Sequence, residues 1–221
     1  VSRWNIQGHE TQEVRCGEGV KIHLEKHIPI AAGMAGGSTD AAATLKGMNR
    51  LFDLGCTLKD LMGLGVKIGA DVPYCVMGGT ALAEGIGEKL TPLAPAPDCY
   101  VLVAKPDINV STKYVYEHLD AQEIVKHPDI DGMVEAIAEE SLQGILDRME
   151  NVLETVTVSA YPVIQTIKDR MKDLGAINSL MSGSGPTVFG IFVEKDMARR
   201  AYDKLEEEQL AKQIFLTEFC E

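Results

Sequence analysis

The chain has 221 residues, enough for one large domain or two small ones. Its 33 acidic residues against 21 basic ones leave a net charge of −12, which argues against nucleic acid as a partner because that binding draws on a basic surface. No apolar run approaches the ~20 residues that span a bilayer. Val1–Gly8 has no apolar signal-peptide core, and five scattered cysteines without a Cys-x-x-Cys pair suit free thiols in a reducing cytoplasm.

The first predicted element is a half-buried strand, because Val20, Ile22 and Leu24 alternate with Lys21, His23 and Glu25. His23 and His27 stand four apart but carry no helical His-Glu-x-x-His pattern, so they read as structural. The run from Pro29 to Ala42 follows, with Gly33, Gly36 and Gly37 just ahead of Ser38, Thr39 and Asp40. Ala41, Leu45, Met48 and Phe52 then recur at helical spacing, giving a strand–loop–helix unit. Thr57 and Asp60 form a capping pattern for a helix from Leu58, which Gly69 ends. Asp71-Val72-Pro73 reads as a sharp turn, Gly79–Glu84 as a strand and Gly85-Ile86-Gly87 as its turn. Pro92, Pro95 and Pro97 mark a domain boundary, giving domains 1–95 and 96–221.

Beyond it, Cys99–Ala104 is an apolar run suited to a buried strand. Ser111 and Thr112 can cap a helix through His118. Helices are predicted over Gly132–Leu146 and Pro162–Leu174, the latter closed by Gly175. Asn178–Met181 and Thr187–Val193 read as strands around a second glycine loop. Ala198–Glu208 reads as a surface helix whose Glu206–Glu208 run faces water, and Ile214–Phe219 as a last strand. The mixture predicts α+β layers.

Glycines, hydroxyls and a helix start, in that order, are what a phosphate site needs. Glycine admits close backbone approach, and the first N–H groups of a helix are unpaired and partly positive. The segment is neither a Walker A loop, since no lysine follows Gly37, nor a Gly-x-Gly-x-x-Gly fingerprint. Pro29–Ala42 resembles the phosphate motif of the GHMP kinases. Gly69–Pro73, Gly78–Ala81, Ala83–Glu88, and Asn151–Glu154 with Tyr161-Pro162 resemble one branch, whose members phosphorylate the 2-hydroxyl of a cytidine-diphosphate-linked methylerythritol on the non-mevalonate isoprenoid route. Ser182–Thr187 resembles the family's glycine-rich motif near the C-terminus.

The resemblance implies the GHMP kinase fold: a ribosomal protein S5 domain 2-like ATP-binding half and a ferredoxin-like C-terminal half, with the active site between them. It implies a cytoplasmic kinase using ATP and Mg²⁺ on a small molecule, with no nucleic-acid or membrane partner. Pro29, Ile30, Ala31, Ala32, Gly33, Met34, Ala35, Gly36, Gly37, Ser38 and Thr39 would hold the nucleotide, and Ser38 the metal. Asp71 falls on the family's catalytic aspartate, and capping the segment after Gly69 is its structural alternative. Ser182, Gly183, Ser184 and Gly185 would line the substrate site. Tyr116 would stack on cytosine, or alternatively sit buried in its helix. Asp40 in a first helical turn suits the helix dipole, and Lys26 would lie beside the nucleotide or in solvent.

Motif spacing places the start of the resemblance near Val20, and Val1–Gly19 does not read as the family's first strands, catalytic lysine and cytidine pocket. The chain is therefore expected to be N-terminally incomplete, with Val20–Leu24 at a sheet edge and activity weak or absent. Another GHMP kinase, or an inactive nucleotide-binding remnant, are the alternatives.

Overall fold

The computed structural model describes residues 19–29, 32–119 and 127–219. In chain order they form α1 (Gly36–Leu51), α2 (Leu58–Val66), α3 (Val72–Met77), β1 (Ala81–Glu84), β2 (Lys89–Pro92), β3 (Tyr100–Lys105), α4 (Thr112–His118), α5 (Ile130–Ala138), α6 (Leu142–Asp147), α7 (Glu154–Ala160), α8 (Val163–Asp173), β4 (Asn178–Met181), β5 (Val188–Phe192), α9 (Lys195–Glu207) and β6 (Gln213–Glu218). They divide into two compact units. Of the described residues, the first holds those up to Ile28 and Ala35–Thr91, and the second holds Pro29, Ala32, Gly33, Met34 and those from Pro92 onward.

In the first unit three helices share one small core of Ala42, Leu61, Val72 and Val76. The predicted capping box is present: Asp60 N–H donates to Thr57 Oγ1 at 3.2 Å, and Thr57 N–H donates to Asp60 Oδ2 at 2.8 Å. Two expectations differ. The Asp71–Pro73 turn is the entry to a helix, α3, because Pro73 near its start needs no N–H partner and Gly78 closes it at φ 74°. Val20–Leu24 forms no strand and pairs with no described strand, and Val20, Ile22 and Leu24 are 42%, 60% and 55% exposed. Alternation makes a strand only where another edge accepts the backbone.

The second unit is built on an antiparallel sheet of order β4-β5-β3-β6. β3 pairs on both sides, with Leu102 opposite Gly190 on β5 and Leu216 on β6. Successive residues of a strand point to opposite faces, and both faces of this sheet are covered. Leu102, Ala104, Val188 and Phe192 meet Ile164, Ile167 and Met171 of α8 and Ala198, Ala201 and Leu205 of α9. Cys99, Val101 and Ile191 meet Leu146 on the other face. That is why Cys99–Ala104 reads as a continuous apolar run.

The helix predicted over Gly132–Leu146 is two helices, α5 and α6. Glu140 turns to φ 54°, and Ser141 opens α6 by accepting Gly144 N–H at 3.2 Å. α7, absent from the sequence-based reading, fills the interval before α8. Its run Thr155-Val156-Thr157-Val158 is weak in helix propensity, and packing against the second unit's core decides its state.

Candidate active site

The phosphate motif is divided between the two units. Ile30 and Ala31 lie outside the described residues. Pro29, Ala32, Gly33 and Met34 belong to the second unit, and Ala35 to Thr39 belong to the first.

In the first unit, Ala35 takes the left-handed φ of 48° and releases the chain into α1. Thr39 closes the first turn, its N–H donating to the Ala35 carbonyl at 2.9 Å and its hydroxyl to the same oxygen at 3.1 Å. The helix begins two residues earlier than Ser38, so Gly36, Gly37 and Ser38 present the opening N–H groups. Gly37 is exposed, and a Cβ built there would meet nothing within 4 Å beyond its chain neighbours and its own helix backbone, which leaves room for a ligand against the backbone. Gly36 differs from the expectation that its missing side chain admits a ligand. Its Cβ would lie 2.9 Å from Ile28 Cγ2, so packing within the unit explains this glycine.

The early helix start also moves Asp40 out of the first turn, so the dipole reading gives way to an ion pair with Lys26. Lys26 is thus exposed and paired with Asp40. Thr39 Oγ1 stands 3.6 Å from Cys75 Sγ, which brings the end of the motif against α3. Asp71 occupies the N-cap position of α3 but makes no capping hydrogen bond with its side chain, which is the role its structural alternative required. Its residue is exposed, while Val72 and Pro73 behind it are buried and hold the backbone in place.

In the second unit, Gly33 docks on the glycine loop between β4 and β5. Ser182 Oγ donates to the Gly33 carbonyl at 2.7 Å. Gly33 has φ 69°, and a Cβ there would lie 2.3 Å from the Ser182 carbonyl oxygen. Only glycine fits this approach. The loop closes on itself through Ser182 N–H to the Thr187 carbonyl at 2.8 Å and Gly185 N–H to the Ser182 carbonyl at 2.9 Å. Of its four candidate residues, Gly183 is exposed, Ser182 is half-buried, and Ser184 and Gly185 are buried. Ser184 Oγ is hydrogen-bonded to Thr112 Oγ1 at 2.8 Å, so α4 opens against this loop. Tyr116, on the same helix, is 60% exposed, which removes the buried-tyrosine alternative and leaves its ring face open to a ligand.

Sequence reasoning missed what supports the loop. Asn151, Glu154 and Thr157 all hydrogen-bond to residues 181–184. The signal was available in the Asn151–Glu154 motif, whose polar residues lack a surface pattern. A cavity of about 280 Å³ also opens in this unit, lined by Cys99, Met133, Leu142, Leu146, Phe189 and Ile191. It is apolar, and none of the motif residues lines it. No cluster of three or more His, Cys, Asp or Glu side chains occurs among the described residues, so no protein-only metal cage is formed there.

Comparison with known proteins places the chain in a family. The GHMP kinases N terminal domain family matches residues 6–79, and the GHMP kinases C terminal family matches residues 133–212. The match thus begins ahead of Val20, where the motifs had placed it, and takes in residues read as unlike the family. The 4-diphosphocytidyl-2-C-methyl-D-erythritol kinase of Lachnoclostridium phytofermentans is 57% identical over 204 residues, covering 92% of this chain and 70% of that protein. The kinase of the same name from Lachnospira eligens is 56% identical over 200 residues, covering 90% and 69%. A solved structure of 4-(cytidine 5'-diphospho)-2C-methyl-D-erythritol kinase aligns with a TM-score of 0.74 at 33% identity, over 88% of this chain and 68% of that one. A homoserine kinase from Cytophaga hutchinsonii, at 21% identity and a TM-score of 0.72, shares the fold. The chain has the GHMP kinase fold and belongs to the GHMP kinase family, on the branch of the 4-diphosphocytidyl-2-C-methyl-D-erythritol kinases.

Proposed function

We propose that this chain is an ATP-dependent kinase of the cytoplasm that phosphorylates the 2-hydroxyl of 4-diphosphocytidyl-2-C-methyl-D-erythritol, an isoprenoid precursor. The observation that carries the reading is the 57% identity over 204 residues to a kinase of that name. The acidic balance and the free Cys56, Cys75 and Cys99 support a small-molecule acceptor and a reducing compartment. Among the described residues no helix is long and apolar enough to cross a membrane.

Phosphoryl transfer asks a protein to place phosphates, neutralise charge and orient the attacking hydroxyl. The N–H groups of Gly36, Gly37 and Ser38 open α1 and aim partial positive charge outward, where phosphate oxygens would sit. The open space over Gly37 fits this role. The Ser38 hydroxyl is a hard oxygen suited to Mg²⁺, which takes few protein ligands and completes its shell with phosphate and water. When bound, Mg²⁺ would offset the charge on the phosphates. The Asp71 carboxylate, which makes no capping bond of its own, would accept the hydrogen bond of the substrate hydroxyl and its proton as the oxygen attacks phosphorus. Tyr116 would offer its open face to the cytosine, and the exposed Gly183 would give the loop its contact with substrate.

Two substitutions test this together. Gly37→Val adds a side chain that meets nothing within 4 Å beyond its own helix backbone and chain neighbours, so no packing contact is displaced. ATP affinity measured by calorimetry should fall by about tenfold or more, since several phosphate contacts are displaced. Asp71→Asn should bind ATP as the parent does, while ADP release with the cytidine substrate and Mg²⁺ falls by about 100-fold or more. Unchanged affinity in the first variant would sink the phosphate site, and near-parental turnover in the second would remove Asp71 from the chemistry.

A further inference from the structure

Asn151, Glu154 and Thr157 have no part in the reaction as described, and all three reach the end of β4 or the loop between β4 and β5. Asn151 Nδ2 donates to the carbonyls of Met181 and Gly183, both at 2.8 Å, and its Oδ1 accepts Leu153 N–H at 3.0 Å. The amide can therefore face only one way. Glu154 Oε1 accepts Met181 N–H at 2.7 Å, and Oε2 pairs with Lys168. Thr157, wholly buried, donates to the Ser184 carbonyl at 3.3 Å. Among the described residues β4 pairs only with β5 and lies at the edge of the sheet, so Glu154 supplies on its open side what a further strand would supply. Lys168, itself buried, is tied to the same strand, because its carbonyl accepts Ser179 Oγ at 2.9 Å.

We infer that Asn151 and Glu154 are positioning residues for the nucleotide: they fix the loop Ser182–Gly185 and, through Ser182, the carbonyl of Gly33 in the phosphate segment. The inference rests on the phosphate-site reading above. The Glu154–Lys168 pair does not account for itself by stability. A buried ion pair does no better on balance than an apolar pair of the same size, although removing one partner alone is costly. What an apolar pair could not supply is the acceptor for Met181 N–H. Lys168 steers the carboxylate so that Oε1 meets that N–H, and Asn151 locks the carbonyl side of the same residue. With both polar backbone groups of Met181 held, the loop leaves β4 in a single direction, and Ser182 Oγ falls on Gly33.

The test compares two double variants in the 221-residue chain. Glu154→Gln with Lys168→Met removes both charges and keeps an acceptor for Met181. Glu154→Leu with Lys168→Met removes the charges and the acceptor. Amide exchange of residues 182–185 is followed without nucleotide, ATP affinity by calorimetry with Mg²⁺, and stability by thermal melting. The glutamine double should match the parent in loop exchange and ATP affinity within about twofold. The leucine double should exchange about tenfold faster in the loop and bind ATP about tenfold more weakly, with melting close to that of the glutamine double. Asn151→Asp, which replaces the donor by a carboxylate facing two carbonyls, should loosen the same amides. Equal loop exchange in the two doubles would overturn the inference, as would a loosened loop with parental ATP affinity. A parent that binds no ATP would overturn the phosphate-site reading and the nucleotide part of the inference with it. The exchange contrast would still decide whether Glu154 holds the loop.

Discussion

Cys75 and Cys99 are both free thiols of this acidic chain, and they differ in burial. Cys99 is buried under the sheet, where desolvation first and the neighbouring Asp98 charge second raise its pKa above the ordinary thiol value. A raised thiol pKa means less thiolate, and the thiolate is the nucleophile. Cys56 and Cys75 are partly exposed, and Cys75 Sγ lies 3.6 Å from Thr39 Oγ1 at the end of the phosphate motif. With iodoacetamide at neutral pH, read peptide by peptide by mass spectrometry, Cys99 should be modified more slowly than Cys56 and Cys75. ATP with Mg²⁺ should slow Cys75 and leave Cys56 unchanged. Equal protection of Cys56 and Cys75 would indicate a general tightening of the protein rather than a ligand at Thr39.

At the scale of single elements, the capping box of α2 makes the first unit sensitive to acid. Asp60 titrates below the ordinary aspartate value, chiefly because the Thr57 hydroxyl and then the Thr57 N–H donate to it. Glu88 is lowered likewise by backbone N–H groups, its own and that of Ile86, in the β1–β2 turn. A carboxyl lowered on folding contributes stability above its unfolded pKa, and that contribution is lost as pH falls through the folded pKa. Amide protection of α2 should therefore be level from pH 7 down to the ordinary carboxylate range and decline below it. Thr57→Ala should lower the stability of this helix by about 1 kcal/mol at neutral pH, the usual worth of an N-cap. It should also flatten the acid decline. A variant with the parental acid profile would show that the box does not set it.

The elements that could be read from sequence are those whose signals are local. Thr57 with Asp60, Ser111 ahead of α4, and Gly175 after α8 are cap chemistry, and the structure has helix ends there. Cys99–Ala104 was legible because a strand covered on both faces is apolar throughout. What could not be read depends on partners distant in sequence. The alternation over Val20–Leu24 has no pairing edge among the described residues, and α7 owes its state to packing. In the site the motifs marked Gly33, Gly37, Asp71 and Ser182, yet no spacing rule places Gly33 under Ser182 or Glu154 against Met181. Those contacts join residues 149 and 27 apart in the chain.

The two units differ in how much apolar surface each removes from water, and stability should differ with it. Among the described residues, the first unit's core has four buried members, Ala42, Leu61, Val72 and Val76, beneath three helices. The second unit's main core has fifteen, including Phe192, Leu102, Ile164, Ile167 and Met171, each with little or no exposure. Burial stabilises in rough proportion to apolar area, and segments with few buried contacts open first. The amides of β3, hydrogen-bonded to both β5 and β6, should exchange most slowly in the chain, and those of α1 to α3 markedly faster. Leu61→Ala, at about 2–5 kcal/mol for a buried leucine, should bring the amides of α1, α2 and α3 to near-unprotected exchange and leave β3 and β5 unaffected. Ile164→Ala should act in reverse, lowering protection in the sheet and α8. If Leu61→Ala instead loosened β3 by the same factor as α2, the two cores would be one cooperative body. The phosphate segment, divided at Met34 and Ala35 between them, would then be held by the whole molecule rather than by each unit in its own share.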